Sequence, residues 1–296
     1  MIVKMVGLGK MGYNLALNMM DNNFKVVGFD INPVARAKAL SSNISCVSNL
    51  ADLIDSNARN IVWVMLPSGN ITNTALYELI DLCNPGDIII DGGNSDPRNS
   101  VEMNKLMQKK ELCFFDIGTS GGVHGARHGA SFMCGGDRQL FKEIEPLVNA
   151  LSIPGGCIYT GETGSGHYLK MVHNAMLYGM MQTIGEGFEL LNKSEFSYNL
   201  GQVADSLSKS SVIRGWLLEL VANAFRKNPT LSDIKGIVGA SKTTVWTLES
   251  ACDLGVPIPV IALSLMMRQR SKQEESFSSK VIAALRDEVG GHKETN

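Results

Sequence analysis

The fold is decided by one stretch near the amino terminus, Ile2-Val3-Lys4-Met5-Val6-Gly7-Leu8-Gly9-Lys10-Met11-Gly12. Its apolar first half predicts a strand, and the pattern Gly-x-Gly-x-x-Gly follows directly. These glycines allow a tight turn, after which backbone N–H groups at the start of a helix can hold a pyrophosphate. The residues predicted to form this dinucleotide site are Gly7, Leu8, Gly9, Lys10, Met11 and Gly12.

An acidic residue stands where the adenosine ribose of such a cofactor would be held. Asp30 ends the second predicted strand, 18 residues after Gly12, and a carboxylate there accepts hydrogen bonds from the ribose hydroxyls. Its charge would repel a 2′-phosphate, so NAD is the expected cofactor, while the nearby cation Arg36 leaves NADP possible. The alternative is that Asp30 is only the N-cap of a helix ahead of Pro33.

Strand-like and helix-like segments alternate as far as about Thr160. Strands are predicted at Ile2 to Val6, Lys25 to Phe29, Ile61 to Leu66, Asp87 to Ile90, Leu112 to Phe115, Ser131 to Cys134 and Cys157 to Tyr159. This alternation predicts an α/β fold, in which an N-terminal Rossmann-type, doubly wound and mainly parallel sheet occupies residues 1–162.

After Thr160 the sequence predicts helices and no strands. A helix near 40 Å long is predicted from Gly164 to about Leu191, because apolar residues recur at helical spacing without a proline. Further helices are predicted near Asn199 to Leu207, Ile213 to Phe225, Trp246 to Leu254, Ile258 to Arg270 and Phe277 to Val289. Residues 163–296 are therefore predicted to form an all-α domain for substrate binding and dimerisation.

Composition excludes several classes of partner. The 296 residues include 27 basic and 29 acidic side chains, for a net charge of −2, so there is no electrostatic basis for binding nucleic acid or an anionic membrane. No apolar run reaches the roughly 20 residues needed to cross a bilayer, and no leader is evident, so a cytoplasmic protein is expected. The six cysteines are scattered, which predicts reduced packing residues and no metal site.

Polar residues suited to catalysis share one face of the long predicted helix. Lys170, His173 and Asn174 are spaced at i, i+3 and i+4, and Leu177 follows at i+7. Three of these four side chains are polar groups of the kind found in active sites.

Two loops at strand ends predict substrate contacts. Asn94, in Asp91-Gly92-Gly93-Asn94-Ser95, follows a strand at the edge of the sheet where ligands bind, and could contact substrate or nicotinamide. Asp116-Ile117-Gly118-Thr119-Ser120-Gly121-Gly122 follows the next strand, and Ser120, Gly121 and Gly122 could approach an anionic group. A purely structural turn is the alternative for this second loop.

Together these segments resemble the β-hydroxyacid dehydrogenase superfamily. The stretch Lys170-Met171-Val172-His173-Asn174, the loop ending at Asn94 and the ending Arg286-x-x-x-Gly290-Gly291-His292 resemble 6-phosphogluconate dehydrogenases in particular, in their short bacterial form. The resemblance covers nearly the whole chain. It implies oxidative decarboxylation of 6-phospho-D-gluconate to ribulose 5-phosphate and CO₂.

The resemblance also implies roles for individual residues. Lys170 would be the base that accepts the C3 hydroxyl proton. The phosphate would be held by Tyr178, Arg268, Arg286 and His292, and the sugar acid by Asn94, Ser120, His173 and Asn174. The family pattern further implies a homodimer or higher oligomer, in which the C-terminal segment with Arg286 and His292 reaches the partner's site.

Two departures from the family keep alternatives open. Leu177 takes the place of a glutamate that acts as general acid, and the approach to Trp246 lacks the usual acidic and glycine-rich sequence. Lys242, in that approach, could reach a phosphate or could be a plain exposed loop residue. The alternatives are a dehydrogenase for another phosphorylated sugar acid or β-hydroxy acid, or a non-catalytic sensor that binds NAD or a sugar phosphate.

Overall fold

The computed structural model describes residues 1–290 of the chain. The chain divides into two compact units, Met1–Asn174 and Ala175–Asn296. The predicted domain boundary after residue 162 precedes the long helix, whereas the division into compact units falls within it, and the boundary itself stays a prediction.

The first unit is built on one eight-stranded sheet. Its strands are β1 (Ile2–Val6), β2 (Lys25–Phe29), β3 (Ser45–Cys46), β4 (Ile61–Val64), β5 (Ile88–Asp91), β6 (Cys113–Ser120), β7 (Ala130–Gly136) and β8 (Ser152–Gly161). Their order across the sheet is β3-β2-β1-β4-β5-β6-β7-β8. From β1 the chain adds β2 and β3 on one side and then returns to add β4 on the other side of β1. This change in strand order is the switch point at which such folds bind ligands.

The predicted doubly wound, mainly parallel sheet is confirmed, with one additional strand. The two-residue strand β3 was not predicted, because so short a segment shows no periodicity. The pair β6 and β7 is antiparallel, whereas the other neighbouring strands pair in parallel. Parallel pairing within the sheet also sets Asp91, the last residue of β5, beside Asp116 in the middle of β6.

Helices cover both faces of this sheet. They are α1 (Lys10–Asp21), α2 (Pro33–Ser41), α3 (Asn70–Leu82), α4 (Pro97–Gln108), α5 (Gly122–His128) and α6 (Arg138–Ala150). Successive residues of β4 point to opposite faces, since Trp63 packs in one buried cluster with Leu15 while Val62 packs in another with Leu79. The sheet that carries the site therefore lies between two apolar layers.

Helix α7 (Ser165–Lys193) runs from the first unit into the second and has 29 residues, or about 43 Å at 1.5 Å per residue. The second unit continues with α8 (Leu200–Ser210), α9 (Trp216–Lys227), α10 (Lys242–Leu254), α11 (Pro259–Arg270) and α12 (Phe277–Gly290). Residues 175–290 contain no strand, as predicted. None of the helices in the described part of the chain is long and apolar enough to cross a membrane.

Candidate active site

The glycine-rich loop has the geometry that a dinucleotide requires. Gly7 has φ +97°, and an added Cβ would lie 2.4 Å from the carbonyl oxygen of Met65, while a Cβ at Gly12 would lie 1.9 Å from that of Gly7. A Cβ at Gly9 would meet no atom within 4 Å. Helix α1 follows with no side-chain cap and no acidic residue in its first turn. An open space beside uncapped helical N–H groups fits a pyrophosphate.

Asp30, which follows β2, is hydrogen-bonded to this loop and is not a helix cap. Its Oδ2 accepts the backbone N–H of Leu8 at 2.7 Å, and its Oδ1 accepts that of Asn32 at 2.8 Å. The N-cap of α2 is Asn32, whose side chain accepts the N–H of Val34 at 2.9 Å. Arg36 donates to the carbonyl oxygen of Asp30 at 2.6 Å. The capping alternative for Asp30 is therefore wrong.

The loop after β5 is anchored by buried residues but leaves Asn94 exposed to solvent. Asp91 is buried and accepts the N–H of Gly93 on Oδ1 at 3.0 Å and the hydroxyl of Ser95 on Oδ2 at 2.6 Å. Thr119 of β6 donates to the carbonyl oxygen of Gly92 at 3.0 Å. Both ends of the loop are thus fixed, while Asn94 itself is exposed.

Ser120 ends β6 and begins the next loop. Gly121 and Gly122 follow with φ values of +117° and +60°, a conformation that L side chains rarely adopt. An added Cβ at Gly121 would also lie 2.9 Å from the Cα of Gly125. The glycines therefore serve the turn that leads into α5, and they leave the Ser120 hydroxyl at its entrance.

The structure brings Lys170, His173, Asn174 and Ser120 together. His173 Nδ1 lies 3.4 Å from Lys170 Nζ and 3.2 Å from Asn174 Oδ1, and its Nε2 lies 3.3 Å from Ser120 Oγ. A tautomer with the proton on Nδ1 would donate to Asn174 and accept the Ser120 hydroxyl on Nε2. The four side chains form a continuous hydrogen-bonded group at the end of β6.

Burial lowers the pKa of both basic side chains in this group, Lys170 and His173. Lys170 is only 5% exposed, and desolvation lowers its pKa to about 8. Burial, and then the charge of Lys170, lower the pKa of His173, against the opposing effect of Asn174. Because a buried ammonium is penalised, Lys170 can lose its proton near neutral pH, which a general base requires.

In the second unit, the structure brings together two of the residues predicted to bind phosphate. The guanidinium carbon of Arg268 lies 3.4 Å from the centroid of the Tyr178 ring, and Nη1 donates to the carbonyl oxygen of Gly239 at 2.6 Å. The N–H of Ser241 donates to Tyr178 Oη at 3.1 Å. Ser241 is the N-cap of α10, so the exposed Lys242 is its first helical residue rather than a loop residue.

The remaining two predicted phosphate residues lie near the carboxyl terminus. Arg286 lies on α12, and His292 falls outside the described residues.

Sequence reasoning assigned no role to Asp91, Asp116 or Thr119. Asp91 holds its own loop through Gly93 and Ser95, whereas Asp116 and Thr119 bond to backbone groups of other segments that carry the site. The available signal was the position of each aspartate at the end of a predicted strand.

A glycine-rich loop with room for a pyrophosphate and a buried lysine hydrogen-bonded to a histidine are features expected of an NAD(P)-dependent dehydrogenase. Comparison with family models agrees with this class. Residues 3–161 match the NAD-binding domain of 6-phosphogluconate dehydrogenase, and residues 166–294 match its C-terminal domain. The chain therefore belongs to the 6-phosphogluconate dehydrogenase family.

Two curated relatives span nearly the whole chain. This chain is 36% identical over 294 residues to the NAD(+)-dependent, decarboxylating 6-phosphogluconate dehydrogenase of Haloferax volcanii. The match covers 97% of this chain and 96% of that protein. The chain is 44% identical over 293 residues to YqeC of Bacillus subtilis, covering 99% and 98%. The name of YqeC assigns it to 6-phosphogluconate dehydrogenase only provisionally.

Two solved structures share the fold. A Plasmodium falciparum 6-phosphogluconate dehydrogenase, studied in its apo form and in complexes with its cofactor NADP⁺ and its substrate 6-phosphogluconate, matches with a TM-score of 0.84 at 26% identity. The match covers 100% of this chain and 66% of that one. A 3-hydroxyisobutyrate dehydrogenase from Mycobacterium tuberculosis matches with a TM-score of 0.75 at 22% identity, over 91% and 92% of the two chains.

Proposed function

We propose that this protein catalyses the NAD-linked oxidative decarboxylation of 6-phospho-D-gluconate to D-ribulose 5-phosphate and CO₂ in the cytoplasm. The observation that carries the proposal is the buried Lys170, with its lowered pKa, in hydrogen-bonding reach of His173. Membership of the family and the similarity to the Haloferax volcanii enzyme support it.

Each residue has a distinct role in the proposed reaction. Neutral Lys170 accepts the proton of the C3 hydroxyl as C3 is oxidised, and the resulting ammonium stabilises negative charge on the 3-keto oxygen while CO₂ leaves. His173 and Asn174 orient the substrate hydroxyls, and Asn94 and Ser120 bind the sugar acid. A nicotinamide cofactor held by the glycine-rich loop and Asp30 would supply the hydride acceptor.

The phosphate of the substrate is assigned to the basic residues of the second unit and to Tyr178. Arg268 already has its guanidinium oriented by the Tyr178 ring and by Gly239, so a bidentate contact to phosphate would need little further ordering. Arg286 and His292 complete the predicted set. A phosphate site formed by these residues would argue against a small unphosphorylated substrate.

The decisive experiment is an assay with 6-phosphogluconate and either NAD or NADP, in which reduced cofactor, ribulose 5-phosphate and CO₂ are each measured. Formation of all three establishes the activity. Turnover of a different phosphorylated sugar acid alone would support the related-dehydrogenase alternative, which Leu177 keeps open. Binding of NAD without turnover of any such acid would support the sensor alternative.

NAD preference follows from the charge at Asp30. Its carboxylate is held beside the glycine-rich loop by Leu8 and Asn32, while Arg36 bonds to backbone carbonyls. Asp30→Asn keeps an oxygen acceptor for Leu8 but removes the charge. We expect the ratio of kcat/KM for NAD over NADP to fall roughly tenfold. Steady-state kinetics with both cofactors measures this ratio.

A matched control separates the local effect from net charge. Asp52 is an exposed carboxylate of the same unit, hydrogen-bonded to Asn49, and Asp52→Asn should leave the ratio unchanged. If Asp30→Asn also left it unchanged, the assignment of cofactor preference to Asp30 would be wrong.

A homodimer is the expected assembly, with the C-terminal segment of one protomer completing the site of its partner. Apolar side chains of the second unit that are exposed in the single chain support an interface there. They include Ile213, Trp216, Leu263, Phe277 and Leu285. Lys170→Met and Arg286→Ala should each be nearly inactive alone. Mixed and reassociated, they should recover about a quarter of native activity, because half the dimers would contain one whole site.

Sedimentation of the native protein and the activity of the mixture test this assembly. A monomer with full substrate affinity, or a dimer whose mixed variants show no recovery, would contradict the shared site.

A further inference from the structure

Helix α7, which carries Lys170, begins without a cap of its own. The carbonyl oxygen of Gly164 accepts the N–H of Tyr168 at 2.9 Å, so Gly164 occupies the N-cap position. It has φ +96° and no side chain, and an added Cβ would lie 2.8 Å from Val101. The first turn of a helix leaves backbone N–H groups that need partners, and here the N-cap residue cannot supply one.

Asp116 of β6 supplies the missing cap. Its Oδ1 accepts the N–H of Gly164 at 2.7 Å, and its Oδ2 accepts the N–H of His167 at 2.8 Å. These are the N–H groups of the N-cap and N3 residues, which two separate side chains satisfy in a capping box. One carboxylate from a neighbouring strand satisfies both. Asp116 is fully buried, so neither bond competes with solvent.

Beyond this cap, alternate residues of β6 continue to contact α7. Residues 116, 118 and 120 lie on the same face of the strand, since side chains alternate. An added Cβ at Gly118 would lie 2.3 Å from the Cβ of Lys170, and Ser120 Oγ lies 3.3 Å from His173 Nε2. Three alternate positions of the strand therefore meet successive turns of the helix, and the two proposed catalytic side chains follow the capped turn directly.

Close packing makes this arrangement intolerant of movement. An added Cβ at Gly166 would lie 2.2 Å from the carbonyl oxygen of Asp116 and 2.5 Å from that of Met133, so the helix backbone rests directly on β6 and β7. On another side, Ser100 Oγ of α4 lies 2.8 Å from His167 Nδ1. This second anchor holds the same turn when Asp116 is altered, so loss of the cap should shift the helix rather than release it.

We propose that Asp116 is a positioning residue for the reaction: it caps α7 from β6 and thereby fixes Lys170 and His173 against Ser120. The inference rests on the proposed role of Lys170 as the base. It extends that role by naming the group that sets the position of the base, a group that touches neither substrate nor cofactor.

Asp116→Asn is the informative substitution, because the amide keeps the size of the carboxylate but offers one acceptor oxygen, and turns its NH₂ toward the other N–H. A displacement of about 1 Å can cost roughly 100-fold in rate. We expect kcat to fall roughly 10- to 100-fold with the affinity for NAD unchanged, and the pH at which kcat/KM is half-maximal to move. Asp116→Ala should have the larger effect.

Asp137 provides the matched control. Its Oδ1 caps α6 by accepting the N–H groups of Gln139 and Leu140 at 2.8 and 2.9 Å, and α6 carries none of the proposed site residues. Asp137→Asn should lower the melting temperature, as loss of a cap does, yet change kcat by no more than about twofold. If Asp116→Asn folded and kept native kcat and its pH profile, the proposal would be wrong.

Two further measurements need no turnover. With biosynthetic ¹⁵N-lysine, the Nζ resonance of Lys170, identified by its loss in Lys170→Met, should shift in Asp116→Asn and stay in place in Asp137→Asn. In the native protein, the His167 amide should exchange slowly with solvent, unlike an uncapped first-turn amide. Rapid exchange, or an unmoved Lys170 resonance, would overturn the positioning role even if 6-phosphogluconate proved to be a substrate. Failure of the substrate assay alone would overturn only the proposed function.

Discussion

Lys170→Met is expected to lower kcat by roughly 10³- to 10⁴-fold, near the upper end of what a single general base contributes. The loss should be large because one amine performs two steps, accepting the C3 hydroxyl proton and then stabilising the keto oxygen. Methionine matches the length of the buried stem without supplying a base. Single-turnover formation of NADH measures the effect on oxidation directly.

Lys170→Arg separates charge from basicity. Arginine retains a positive charge but stays protonated at any accessible pH, so it should be as inactive as methionine. Lys105, an exposed lysine of α4, is the control, and Lys105→Met should keep native kinetics. An active Lys170→Met enzyme would contradict the assignment of the base.

The pH dependence of kcat/KM follows from the same burial. Since desolvation lowers the pKa of Lys170 to about 8, kcat/KM should rise with pH through loss of one proton and level off above pH 8. A plateau extending well below pH 7 would show that Lys170 is not the group that titrates.

The lysine that activity requires should destabilise the folded protein. Below pH 8 the lysine is charged in both the folded and the unfolded protein, and its pKa falls from 10.5 to about 8 on folding. At 1.36 kcal/mol per unit, burial of that charge costs the folded state on the order of 3 kcal/mol. The cost declines between pH 8 and 10.5, where only the unfolded chain stays charged. Lys170→Met should therefore be more stable than the native protein at pH 7, by a margin that shrinks over this window.

Local sequence patterns sufficed for most of the fold. The strand before Gly7 and the helices of the second unit were predictable because period-2 and period-3.6 patterns are set by the residues themselves. The antiparallel pairing of β6 with β7 was not predictable, because it depends on which strand lies beside which. The alternation of strands and helices is compatible with either direction at that edge.

In the candidate site, too, the features set by local sequence were predictable and those set by long-range contacts were not. Lys170, His173 and Asn174 share a helical face by spacing alone, and Asp30 was identified by its distance along the chain from the glycine loop. The contact of Ser120 with His173, the burial that lowers the pKa of Lys170 and the cap from Asp116 all join segments distant in sequence. Such contacts exist only once the sheet has formed.

Leu177→Glu is expected to raise the yield and rate of ribulose 5-phosphate formation by at least roughly tenfold, which is less than the 10²- to 10⁴-fold that a fully positioned general acid provides. The resemblance to the family implies a glutamate at this place, which protonates C1 of the enediol after CO₂ leaves. Leucine has no proton to donate. Native protein should therefore oxidise its substrate faster than it completes the tautomerisation.

The stereochemistry of the product separates enzymatic from unassisted protonation. In D₂O, an enediol that is released and protonated by solvent acquires deuterium at C1 in both configurations, whereas a fixed acid delivers it to one face. Leu177→Glu should give a single configuration where the native protein gives a mixture. Leu177→Gln, which matches the shape but donates no acidic proton, and Met176→Glu, which places the carboxylate at an exposed neighbouring position, should both behave like native protein. A single configuration from native protein would instead mean that another group already acts as the acid, and His173, hydrogen-bonded to both Lys170 and Ser120, would then be the residue to replace next.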